Sequence, residues 1–200
     1  MKMKLWNLGC VALCVFVLLN VVGCGGQTAK QSKSGETYYT KYNFHYTTEK
    51  GKAWGSVANL TKPPAHKILP YGSSVKIEPW KRGFNLIAPK SGKTINVVSK
   101  KKYLEGKSLS EYLDLILSTA PVSYTDLSEI DQKGISEGRP YNGMSKKGVM
   151  IALGYPCPNK TASPKANTWY YWENRFDNYP VNFKNDLVVS SGYKPVKKKL

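Results

Sequence analysis

His45, His66 and Cys157 are the side chains beyond the apolar N-terminus that could supply a base or a nucleophile. Covalent catalysis needs a nucleophile, a base within hydrogen-bond reach and a group that orients the base. Both histidines precede the cysteine and fall in a different expected domain. Cys157 lies between Pro156 and Pro158, not at a helix start, where its pKa would fall. His45, inside Asn-Phe-His-Tyr, reads as a strand residue and His66 as a loop residue, so the set is assigned no catalysis. Beyond the apolar N-terminus no two Cys or His residues stand at metal-ligand spacing. Asp126, Glu129 and Asp131 fit the exposed face of a helix better than a calcium loop. Gly92-Lys93-Thr94 lacks the glycine that opens a phosphate loop. The expectation is a chain without catalytic residues, metal or cofactor.

The fourth candidate is Cys24. Lys2 and Lys4 are followed by an uncharged apolar run to Val22, and the run ends in Val21-Val22-Gly23-Cys24. A basic start, an apolar middle and a small-residue end describe a cleavable export signal. The tetrapeptide resembles the lipobox of bacterial lipoproteins. The resemblance implies cleavage between Gly23 and Cys24 and a lipid on the Cys24 thiol, with palmitate among the acyl groups. Residues 25–35 hold no large apolar side chain and read as a flexible tether. Two or more acyl chains give stable anchoring without a spanning helix. Gly25 is not the aspartate that retains such proteins at the inner membrane. The resemblance therefore places the chain at the outer membrane, facing the periplasm.

Cleavage would remove two of the 30 Lys and Arg and no acid, leaving 28 basic against 13 acidic side chains. A basic balance of this size suggests nucleic acid in a cytosolic protein. Export removes that partner and leaves head groups, lipopolysaccharide and cell-wall polymers. Lys100-Lys101-Lys102 reads as a solvated linker and Lys197-Lys198-Lys199 as a tail. Cys10 and Cys14 leave with the signal and Cys24 is acylated. Cys157 then has no internal partner for a disulfide.

The expected organisation is α+β, with a signal over 1–23, a tether over 24–36, a β-domain over 37–103, an αβ domain over 108–191 and a basic tail over 192–200. Residues 37–47 are rich in Tyr, Thr and Phe, which favour strands. Glu49-Lys50-Gly51-Lys52 looks like a hairpin turn, and residues 57–60 like a strand. Val75 and Ile77, then Phe84, Leu86 and Ala88, then Ile95 and Val97, alternate with polar residues. With Pro70-Tyr71-Gly72 before a Val-x-Ile strand, this pattern resembles a bacterial SH3-like barrel.

Helix is expected from Ser108, which with Glu111 makes a capping box, through Ala120, where Pro121 stops it. A short helix over residues 126–133 would close at Gly134. Ser145 caps another helix that Gly154 ends, with Met144 as a staple onto its first turn. Residues 168–172 and 181–189 then read as antiparallel strands around an Asn185-Asp186 turn. Gly143, Met144, Ser145, Val149, Leu153, Gly154 and Pro156, with Trp169 and Tyr171, resemble the SmpA/OmlA (BamE-like) lipoprotein domain. That resemblance implies two helices over a three-stranded antiparallel sheet.

Two readings compete for Asn174-Arg175-Phe176-Asp177. In one it is a turn in which Asp177 pairs with Arg175 and Phe176 joins the core. In the other, Trp172, Arg175, Phe176 and Tyr179 form an exposed aromatic/Arg interaction patch, a composition favoured at interface hot spots. The functional expectation is a non-enzymatic envelope lipoprotein, a scaffold or accessory of outer-membrane β-barrel assembly or integrity that binds protein partners. The alternative is a lipoprotein that docks peptidoglycan with its β-domain.

Overall fold

The computed structural model describes residues 35–61, 66–104 and 106–194. Gly23 and Cys24, the signal and most of the tether lie outside them. Eight strands form one mixed sheet: β1 (Thr37–Thr40), β2 (Phe44–Glu49), β3 (Lys52–Ser56), β4 (His66–Leu69), β5 (Ser74–Trp80), β6 (Gly83–Ala88), β7 (Lys93–Val98) and β8 (Leu117–Ser118), in the order β4-β2-β3-β7-β6-β5-β1-β8. Helices α1 (Lys101–Leu104) and α2 (Leu109–Ile116) come between β7 and β8, and α3 (Glu129–Glu137) and α4 (Lys146–Leu153) follow β8. The chain then makes a second, three-stranded sheet from β9 (Thr168–Trp172), β10 (Asn178–Lys184) and β11 (Leu187–Ser191).

Local chemistry explains the tight turns. Lys50 and Gly51 both take positive φ between the paired Glu49 and Lys52, as a two-residue hairpin demands. Asn185 and Asp186 do the same between Lys184 and Leu187. The expected alternation places Val75, Ile77, Phe84, Leu86, Ile95 and Val97 on one buried face. Each such side chain contributes roughly 1.5–3 kcal/mol by leaving water.

The architecture corrects the expected one. The first unit is not a closed SH3-like barrel but a curled eight-stranded sheet in which β3 and β7 run parallel. The helix from Ser108 has its capping box, yet it ends at Ile116, and Leu117–Ser118 pairs with β1 as an edge strand. Tyr112, Leu113 and Ile116 bury in the core of the large sheet, with Tyr38, Phe84 and Leu86. That helix therefore does not open a separate helix-plus-three-strand unit. An amphipathic pattern states that one face is buried and leaves open what buries it.

Smaller boundaries moved as well. Residues 41–43 break the expected first strand in two, and residues 57–60 follow β3 as turn and loop. Helix α3 begins at Glu129 and closes on Gly138, whose φ is +61. Gly134 lies inside that helix, packed against the Met144 thioether, so Met144 reaches across to α3.

The second core collects Met144, Val149, Ile151 and Leu153 against Trp169, Val181, Phe183 and Val188. The end of α4 is held by the large sheet. A helix leaves its last carbonyls without intrahelical donors. Here Ile151 O accepts from Asn43 N, Ala152 O from His45 Nε2 and Leu153 O from Asn59 Nδ2, each at 2.8 Å.

Candidate functional site

Strands bury alternate side chains, so the outward residues of β3, β7, β6 and β5 share one surface. Ala53 and Gly55 face the core, which turns Trp54 outward. In register beside it stand Asn96 and then Asn85. Trp80 ends β5 and pairs with Gly83 across the Lys81-Arg82 turn. Its ring meets that of Trp54 at 5.8 Å between centroids, tilted by 58°. The two indoles are 26 positions apart in the chain, and both are half-buried.

Gly83 makes this placement possible. Its φ is +153, and a Cβ there would run into the carbonyl oxygen of Val97. Glycine lets the hairpin lie close against β7, and Ser99 N donates to Arg82 O at 2.8 Å beside it.

Around the indoles is an open groove of about 790 Å³, lined among others by Lys52, Lys81, Arg82, Lys93, Thr94 and Asn96. Arg82 stands 5.9 Å from the Trp80 ring centroid. Among the described residues no Asp, Glu, His or Cys lines the groove. Lys52, Lys81 and Arg82 beside two aromatic faces, with no carboxylate among the described lining residues, suit an anionic ligand with flat apolar faces. Asn96 Nδ2 donates to Ala53 O at 3.2 Å, while Asn85 Oδ1 is shielded and finds no hydrogen-bond partner among the described residues.

The sequence did not single these residues out. The available signal was two tryptophans at outward positions of strands that otherwise alternate cleanly. A large apolar residue on a polar face is the informative anomaly.

The hairpin patch expected from sequence divides. Phe176 is 72% exposed and Tyr179 only 3%. Tyr179 lies in the second core and its hydroxyl shares a 3.0 Å hydrogen bond with Thr61. Trp172 packs edge-on against Tyr103, with centroids 5.4 Å apart. Arg175 is exposed and lies 4.5 Å over the Phe176 ring. Asn174 holds the tip, accepting from Phe176 N and Asp177 N and donating to Asp177 Oδ2. The Asp177 pairing is with Asn174, and Phe176 does not join the core. Arg175 and Phe176 remain a small exposed pair.

The histidines meet elsewhere. His45 Nδ1 and His66 Nε2 are 2.7 Å apart, and His66 belongs to strand β4, not to a loop. Ala152 O can only accept, so His45 Nε2 carries the hydrogen and Nδ1 accepts from His66. Cys157 is buried and its thiol donates to Asn159 Oδ1 at 2.7 Å. Asp131, expected on an exposed helix face, is 3% exposed. Among the described residues no cluster of His, Cys, Asp and Glu could hold a metal ion, and no helix is long and apolar enough to cross a membrane. Compared with known proteins, the chain matches no family model, no curated protein and no solved structure.

Proposed function

We propose that this chain is a non-enzymatic, lipid-tethered protein of the bacterial envelope that binds an anionic component of that envelope. The anchor rests on sequence: the apolar run, Gly23 before Cys24, and a tether without large apolar side chains. The folded body faces the periplasm from the outer membrane. The observation that carries the binding role is the groove holding Trp54 and Trp80 beside Lys52, Lys81 and Arg82, with no carboxylate among its described lining residues. Two experiments test the reading. Labelled palmitate should enter the chain and fail to enter Cys24→Ser. The full-length chain should sediment with an envelope fraction freed of phospholipid, and its recovery in the supernatant would sink the binding role.

A second reading makes the protein an accessory of β-barrel assembly in the outer membrane, acting through protein contacts. Arg175 and Phe176, exposed together on a braced tip, favour it. Co-purification with assembly components from solubilised membranes, lost in Phe176→Ala, is the expected result. Clean absence of those components at native expression would end this reading.

A further inference from the structure

The groove's length and chemistry specify more than negative charge. Lys52 precedes Ala53, which is level with Ile95 near the start of β7, whereas Lys93, in phase with Ile95, turns its ammonium to the Tyr46 ring 5.6 Å away. Lys81 and Arg82 sit past the other end of β7, where Gly83 pairs with Val98. The cations therefore stand at the two ends of a strand roughly 16 Å long. Between them lie the two indoles, with Thr94 and Asn96 offering hydroxyl and amide groups.

Resting on the reading above, we propose that this groove binds a carboxylate-bearing polysaccharide laid along β7. Sugar rings lie on Trp54 and Trp80, because a pyranose presents flat C–H faces that match an indole face. Carboxylates meet Lys52 at one end and Lys81 and Arg82 at the other. Thr94 and Asn96 hydrogen-bond the ring hydroxyls. The groove is open, so a chain can enter and leave it. A small anion would use one end only and leave the indoles idle. A membrane surface would favour aromatic tips that project, whereas these indoles are half-buried in a concavity. The nearest carboxylates on these strands, Glu49 and Glu78, stand opposite Lys52 and Asn85 in register and do not line the groove.

The test is calorimetric titration of the full-length chain in non-ionic detergent with polygalacturonate, neutral dextran, polyphosphate and glycerol 3-phosphate. Saturable binding of polygalacturonate is expected, with no binding of dextran and only weak, salt-erased binding of the phosphates. Trp54→Ala and Trp80→Ala should each weaken polygalacturonate binding about tenfold or more. Trp54→Phe and Trp80→Phe should restore most of it, with unfolding transitions unchanged. Polyphosphate binding as tightly as polygalacturonate would show charge alone at work and overturn the proposal. Indifference of binding to both alanine variants would overturn it too, as would no binding of polygalacturonate. If the chain still sediments with the envelope fraction while the alanine variants lose nothing there, the glycan site fails and the wider binding role stands. If the wild-type chain does not sediment, the wider role fails.

Discussion

His45 Nε2 donates to the carbonyl oxygen of Ala152 at 2.8 Å, so a strand of the large sheet caps the end of helix α4. With Asn43 and Asn59, it gives the last carbonyls of that helix the donors they would otherwise lack. The buried histidine therefore has a structural partner on each nitrogen, Ala152 on one and His66 on the other.

This arrangement makes stability fall in mild acid. Burial first, and the facing His66 second, hold the His45 imidazole down at about 3, against 6.5 for the ordinary side chain. Between those values the unfolded chain binds a proton that the folded chain refuses. The contribution is complete above pH 6.5 and is lost as pH falls toward about 3, at no more than about 1.4 kcal/mol per pH unit. His66, lowered by burial, acts in the same direction. The urea midpoint should drop steadily from pH 6.5 to 4, and His45→Gln should flatten part of that slope. A wild-type midpoint constant over this range would contradict the assignment.

One carboxylate joins the starts of two helices. Asp131 Oδ1 accepts from Ser145 N at 2.8 Å, and Oδ2 accepts from the hydroxyls of Ser128 and Ser145 at 2.9 and 3.0 Å. At 3% exposure no water can replace those bonds cheaply. Asp131→Ala should cost about 3 kcal/mol or more, against about 1 kcal/mol for Ser108→Ala at an exposed cap. Parallel urea titrations would expose an equal cost, which would be inconsistent with this account.

Gly83→Ala should separate the groove from the rest of the fold. Positive φ and the Val97 carbonyl together resist a Cβ, at a cost of about 1–3 kcal/mol. The displaced hairpin carries Trp80 and Arg82, so affinity for the anionic ligand should fall along with the midpoint. Calorimetry on the variant below its unfolding midpoint reads this, and wild-type affinity would be the adverse result.

Phe176→Ala should leave stability within about 0.5 kcal/mol, since the side chain is 72% exposed and joins neither core. A larger drop in the urea midpoint would mean that the tip is structural.

Cys157 should resist an aromatic disulfide reagent in the native protein and react once denatured. It is buried and its thiol is bonded to Asn159. Rapid native labelling would refute this.

Much of the local structure was readable because it depends on neighbours in the chain. The capping box of Ser108 and Glu111, the Ser145 cap, the Gly154 stop and the Lys50-Gly51 turn all formed where residue type and spacing put them. The alternation around Val75, Phe84 and Ile95 correctly named the inward face. Asp131 was misread because its i−3 partner Ser128 and its distant partner Ser145 together bury it, and only the first is a local matter.

The candidate site was much less readable. Trp172, Arg175, Phe176 and Tyr179 lie close together in sequence, yet chain geometry sends Tyr179 inward and leaves Arg175 and Phe176 outside. Alternation along a strand sets which side chains share a face, but the neighbours on that face come from strand order.

By its own pattern the sequence determined the turns, caps and inward faces. Tertiary structure alone decided that β3 runs parallel to β7, that α2 joins the large sheet, and that Trp54 meets Trp80. The physical reason is range. Capping and alternation are set over a few residues, whereas sheet order is set by which apolar faces bury each other best. That competition involves the whole chain at once.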